Sequence, residues 1–170
     1  MPYNVRQLSD LEEIRELALR YSRGIDRMDP ELLRSVYWED AVDSHGLFRG
    51  NRDQLVDFIM DEHDRWRATM ECVLNHLIEF DEGGRSARGE IYMITYMFRD
   101  GQRGSIIDSW YGRVLDRYEE RGGEWRISER ICVHEADTSE PVTGTMRLPL
   151  AEFLRGSFDR HQPGTQLGPP

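Results

Sequence analysis

The 170-residue sequence holds only two cysteines, Cys72 and Cys132, and neither belongs to a Cys-x-x-Cys pair. It has no His-Glu-x-x-His element either. These gaps leave no disulfide framework and no compact metal motif, so two thiols in apolar, strand-like runs read as buried side chains. No run approaches about 18 apolar residues, and the N-terminal MPYNVRQLSD lacks an apolar signal region. A cytoplasmic protein without membrane contact is the expectation. A phosphate-binding loop is missing too: GGRSARGE has neither the glycine spacing nor the following helix that a phosphate cradle needs. Positive charge is in deficit, with 22 Lys+Arg against 32 Asp+Glu and a net charge of -10. That balance disfavours nucleic acid and anionic lipid as partners. No internal repeat is visible.

What is present suffices for one folded domain. A hydrophobic share of 38% is modest, but 10% aromatic residues argue against disorder. Leu11, Ile14, Leu17, Ala18, Tyr21 and Ile25 recur at helical spacing, and SDLE, with Ser9 as cap, predicts a helix from Ser9 to about Arg27. Asp29-Pro30 opens a second helix, with the Asp as cap and the Pro in the first turn. AVDSHGLFRG reads as a short strand and turn. Asn51 caps a third helix whose Leu55, Phe58, Ile59 and His63 share one face. Strand-like runs follow, separated by the turn signals DEGG, RDGQRG and ERGGE. Helices first and strands later predict an α+β fold with an antiparallel meander. A curved sheet under three helices would enclose a cone-shaped cavity. Residues 1–137 form the expected domain. Residues 138–170, rich in Pro and Gly, form an extension with a possible short helix at Leu150 to Leu154.

The segment TMECVLNH, residues 69 to 76, poses the chemical question. A carboxylate in a buried strand costs several kcal/mol unless it is paired, protonated or used. Strict alternation puts Glu71 on one face with Thr69, Val73 and Asn75, and turns His76 to the other. Glu71 is therefore either an acid–base group with a raised pKa or half of a salt bridge to Arg113 or Arg130.

RYSRGIDRMDPELLRSVYWEDAVDSHGLFRG (20 to 50), NHLIEFDEGGRSARGEIYMITY (75 to 96) and YGRVLDRYEERGGEWRIS (111 to 128) resemble the SnoaL-like branch of the nuclear-transport-factor-2-like superfamily. The resemblance implies a cone-shaped α+β barrel with three N-terminal helices and a mostly antiparallel curved sheet. It also implies a hydrophobic pocket and chemistry that usually needs no metal or organic cofactor. Members include dehydratases, dehydrochlorinases, cyclases, isomerases and a lyase that releases formaldehyde from a lignin-derived diaryl diol; some relatives are non-catalytic. Asp26 falls on the family's first-helix Asp. Tyr21 matches an assisting Tyr, and Glu71 stands where the family's strand His is usual. His45, in DSHG, and His134, in ICVHEAD, are candidate acids.

The candidate catalytic set is thus Asp26, Glu71, His134, Tyr21 and His45. Asn75, Tyr92, Tyr96, Trp110 and Arg113 are candidate substrate contacts. Tyr92 and Tyr96 alternate with Met93 and Met97, and one set must face the pocket. His63 and His161 read as incidental. His45, His76 and His134 match no compact metal motif. The expected function is a cofactor-independent lyase acting on a hydrophobic, hydroxylated aromatic or steroid-like molecule, by loss of water or retro-aldol loss of formaldehyde. The alternatives are a ketosteroid-like isomerase and a non-catalytic binding module. Apolar residues on both faces of 70 to 80 point to a homo-oligomer, a dimer or trimer.

Overall fold

A computed structural model describes residues 3–144 and Phe158. Helix α1 spans Val5–Asp26, α2 Pro30–Ser35 and α3 Arg52–His63. The strands are β1 Tyr37–His45, β2 Phe48–Asn51, β3 Ala68–Phe80, β4 Ser86–Gly101, β5 Gly104–Arg121 and β6 Glu124–Pro141. They form one six-stranded sheet in the order β2-β1-β6-β5-β4-β3. The β3–β4, β4–β5 and β5–β6 pairs are the expected antiparallel meander, whereas β1 runs parallel to β6. The sheet is curved but does not close, so the architecture is an open α+β cone.

Local signals explain most of the boundaries. Helix α1 starts four residues before the expected cap: Asn4 accepts from the Gln7 backbone N–H and Gln7 reciprocates, so NVRQ rather than SDLE is the capping box. Asp29 and Asn51 cap α2 and α3 as expected. The apolar stripe of α1, from Leu11 to Ile25, is buried against the sheet together with Leu33, Val36, Leu55, Ile59, Ile78 and Trp125. β6 continues to Pro141, past the expected domain boundary at residue 137. The proposed short helix at Leu150 to Leu154, and His161, lie outside the described residues. No helix among the described residues is long and apolar enough to cross a membrane.

Alternation breaks at one decisive place. β3 pairs Glu71 with Thr95 and Val73 with Met93, then His76 with Ile91, so β3 carries an extra residue between Val73 and His76. This bulge resets the pleat. Asn75 turns outward and is exposed, while His76 joins the inner face beside Tyr118. The expectation that His76 faces away from Glu71, and that Asn75 lines the pocket, is thereby corrected.

A buried polar network ties the sheet to α1. Arg130 is fully buried and donates from Nε and one terminal nitrogen to Asp116, at 2.7 and 2.6 Å. Its guanidinium lies 4.1 Å from the ring centre of Tyr21 on α1. Tyr118 donates its only hydroxyl hydrogen to Asp116 at 2.7 Å, so the His76 Nε2–H donates to the Tyr118 oxygen at 3.2 Å. Burial pushes the His76 pKa down to about 4, so the ring is a neutral imidazole.

Removing one partner of a buried pair leaves an uncompensated charge, which costs about 3–5 kcal/mol. Arg130→Met is therefore expected to lower the melting temperature sharply. Adding Asp116→Asn to that variant should restore part of the loss. A double-mutant cycle followed by thermal melting checks both; additive losses would refute the coupling.

Candidate functional site

The cone encloses a cavity of about 260 Å³. Its apolar wall is Ile25, Ile59, Met93, Met97, Trp110 and Val114, and its polar lining is Tyr21, His45, His63, Glu71, Thr95, Cys132 and His134. Of the sequence candidates, Tyr21, Glu71, His45, His134 and Trp110 meet here. Trp110 can lie along the sheet because residue 112 is glycine: a Cβ there would fall 2.3 Å from the indole.

Four expected substrate contacts do not reach the cavity. Asn75 is turned out by the bulge. On β4 the odd residues Met93, Thr95 and Met97 face in, so Tyr92 and Tyr96 face out, and Tyr92 is 41% exposed. Arg113 stands beside Tyr92 on the outer face, where it donates to Glu90 and Glu135 at 2.8 and 2.9 Å. The alternation was legible in the sequence; which face the helices cover was a tertiary choice.

Glu71 is the carboxylate of the cavity wall. Neither arginine proposed as its partner pairs with it, because Arg113 is outside and Arg130 is committed to Asp116. It accepts one side-chain hydrogen bond, from Thr95 Oγ1 at 3.1 Å. Burial, and then the neighbouring Asp26 charge, raise its pKa to about 7.

Asp26 is not in the cavity wall. Its carboxylate accepts from Thr69 Oγ1 at 2.8 Å and from the Glu71 backbone N–H at 3.1 Å. It lines a neighbouring cleft with Arg23, Arg27 and Val73, and Glu71 borders both spaces. Burial raises the Asp26 pKa, and the Thr69 and Glu71 donors oppose that rise. Two donors thus serve the Asp26 carboxylate, against the one side-chain donor of Glu71.

The histidines differ in state. His45 faces Asp43 Oδ1 at 3.5 Å and Cys132 Sγ at 3.1 Å, both from Nδ1. Burial works against its charged form, but these partners prevail and its pKa rises to about 10. His63, read as incidental from the sequence, lines the cavity. Its Nδ1–H donates to the Ile59 carbonyl at 2.8 Å, which leaves Nε2 as the acceptor of a neutral ring whose pKa burial lowers. The Leu55, Ile59, His63 stripe was the available signal. The Phe158 ring approaches His63 edge-on, with 6.4 Å between centroids. His134 is half-exposed and within 3.3 Å of Asp137 Oδ1. Tyr21 is 2% exposed, and burial raises its pKa, so its hydroxyl stays protonated. The sequence contains no lysine, so imine chemistry on a lysine is excluded.

Asp43, His45 and Cys132 also offer donor atoms that all lie within 4.8 Å of one another. This grouping joins β1 to β6, which run side by side in parallel with Asp43 opposite Arg130.

No curated protein matches the sequence. Solved structures do resemble the fold. A provisionally assigned scytalone dehydratase from Novosphingobium aromaticivorans superposes with a TM-score of 0.70 at 21% identity, covering 80% of this chain and 91% of that one. A hexachlorocyclohexane dehydrochlorinase from Novosphingobium barchaimii gives 0.69 at 19% identity, covering 84% and 97%. A protein of unknown function from Mycobacterium tuberculosis gives 0.65 at 24% identity, covering 76% and 74%. The SnoaL-like domain profile matches residues 6–131, which run from α1 into the first part of β6. The chain therefore belongs to the SnoaL-like domain family.

Proposed function

We propose that this protein is a lyase that removes a proton from a hydrophobic, hydroxylated small molecule with Glu71 as the base. The observation that carries this reading is an unpaired carboxylate in an apolar cavity with its pKa raised to about 7. A base poised near neutrality combines a useful ionised fraction with real proton affinity. Proton loss builds negative charge on the substrate and on the leaving oxygen. The charged His45 ring and the neutral Tyr21 hydroxyl line the same cavity and can stabilise that oxygen. Asp26 acts as a positioning residue: it fixes the Glu71 backbone, and its charge sustains the raised pKa.

At about 260 Å³ the cavity lies just below the usual range of ligand pockets, about 300–1,000 Å³. It suits a one- or two-ring aromatic better than a four-ring steroid. Dehydration and retro-aldol loss of formaldehyde both fit, because a phenol-derived quinone methide can accept the electrons without a cofactor. Dehydratase and dehydrochlorinase relatives on the same fold agree with elimination as the reaction class. A single raised carboxylate also suits an isomerase, in which Glu71 returns the proton to another carbon.

A homo-oligomer is part of the same proposal. Met70, Leu74, Leu77, Tyr92, Leu115 and Ile131 are exposed on the outer sheet face. Light scattering at micromolar concentration should return a multiple of 20.0 kDa, and a monomeric mass would count against it.

Turnover is best sought with hydroxylated aryl ketones and arylpropane diols, using mass spectrometry to detect lost water or formaldehyde. A product of unchanged mass would select the isomerase. Glu71→Gln should reduce kcat by about 10²- to 10⁴-fold. Wild-type kcat/KM should rise with pH through about 7 as Glu71 loses its proton. Asp26→Asn removes the neighbouring charge, so the rise should move to lower pH; an unmoved profile would contradict the positioning role.

Stability carries the opposite sign. A carboxylate whose folded pKa is raised favours the folded state while protonated, and that contribution fades as pH climbs from about 4.3 through about 7. Glu71→Gln should therefore stabilise the fold more at pH 8 than at pH 5, by about 1.4 kcal/mol per unit of the rise. Equal melting shifts at both pH values would contradict the buried, titrating Glu71.

A further inference from the structure

The elimination reading leaves one cluster unexplained. Asp43 on β1, His45 two residues later on the same face and Cys132 on the adjacent β6 send their donor atoms to one spot. Asp43 is 1% exposed. Its Oδ2 accepts from the Tyr37 hydroxyl at 2.9 Å, but its buried Oδ1 has no hydrogen-bond partner. That bare oxygen lies 3.5 Å from His45 Nδ1, and Cys132 Sγ lies 3.1 Å from the same nitrogen.

A Cys–His–Asp relay would use the two ring nitrogens separately, one toward the thiol and one toward the carboxylate. Here sulfur and oxygen both approach Nδ1. One nitrogen carries at most one hydrogen, so a protonated ring serves only one of them fully. Three electron-pair donors converging on a common point are the arrangement of a chelate. Donors 2.0–2.3 Å from a tetrahedral Zn²⁺ stand about 3.3–3.8 Å apart; the two spacings to His45 Nδ1, 3.5 and 3.1 Å, fall at or near that range, and the carboxylate and sulfur lie within 4.8 Å of each other.

We propose that Asp43, His45 and Cys132 form a binding site for a thiophilic divalent cation of the Zn²⁺ type. Thiolate, imidazole and carboxylate together suit that ion better than Mg²⁺ or Ca²⁺, which take oxygen ligands. Charge agrees: the ion takes the place of the proton that His45 otherwise holds between the same two partners, the carboxylate and a thiolate offset it, and Arg130 is paired with Asp116. Tyr37 supplies the outer hydrogen bond that orients a ligating carboxylate. His45 and Cys132 line the cavity, so the fourth position opens where substrate enters, within reach of a hydroxyl or carbonyl oxygen. Three protein ligands with one open position are the pattern of reactive rather than structural zinc sites. Binding of the ion does not depend on the assignment of Glu71.

The test uses the full chain, reduced and stripped with a chelator, and titrated with Co²⁺ as a visible stand-in for Zn²⁺. One equivalent should bind with a thiolate-to-metal charge-transfer band, and Zn²⁺ should displace it. Cys132→Ser should abolish the band, whereas Cys72→Ser and Glu71→Gln should keep it. Zn²⁺ should also slow alkylation of Cys132 by iodoacetamide at least tenfold, a readout that needs no variant to fold. Asp43→Asn should weaken binding by 10- to 100-fold where circular dichroism shows it folded. Absence of the band, its survival in Cys132→Ser, or alkylation indifferent to Zn²⁺ would overturn the proposal. Loss of turnover in Glu71→Gln with the band intact would separate the ion site from the base.

Discussion

The buried Arg130–Asp116 pair is the constraint around which the cone is arranged. A guanidinium with no exposure needs a bidentate partner, and β5 supplies one from the adjacent register position. The same group lies over Tyr21, so α1 cannot shift along the sheet without uncovering a charge. Tyr118 and His76 extend the network across to β3. Arg130 gives its two hydrogen bonds to Asp116 and none to Glu71. Burial and the neighbouring Asp26 charge therefore outweigh the attraction of Arg130 and raise the Glu71 pKa to about 7.

The two carboxylates near the end of α1 then divide their work by environment. Asp26 receives donors from Thr69 and the Glu71 backbone; Glu71 receives only Thr95. Asp26, one of the two candidate carboxylates, accepts from the backbone of the other. His63 and His45, both partly buried, end in opposite states: one ring faces a carbonyl and stays neutral, the other faces a carboxylate and a sulfur and holds its charge. Burial alone would have lowered both.

Periodicity made much of this legible. The α1 stripe, the caps at Asp29 and Asn51 and the Gly-rich turns of the meander all follow local rules that tertiary packing reinforces. Glu71 stood out because a carboxylate among Cys72, Val73 and Leu74 is expensive. The failures cluster where a local rule meets a non-local decision. An extra residue at the β3 bulge exchanged Asn75 for His76. The side of β4 covered by helices put methionines rather than tyrosines in the cavity. His63 looked incidental because its value comes from a cavity that three distant elements complete.

The sequence by itself determined the order of helices and strands, the absence of lysine and phosphate-loop chemistry, and the presence of a carboxylate that a strand should not bury. These are properties of composition, spacing and backbone preference, which act over a few residues. Only the tertiary structure decided that neither Arg113 nor Arg130 pairs with Glu71, that Asp26 accepts from the Glu71 backbone, and that Asp43, His45 and Cys132 converge. Those outcomes depend on strand register and on the parallel β1–β6 pairing, which joins residues 87 positions apart.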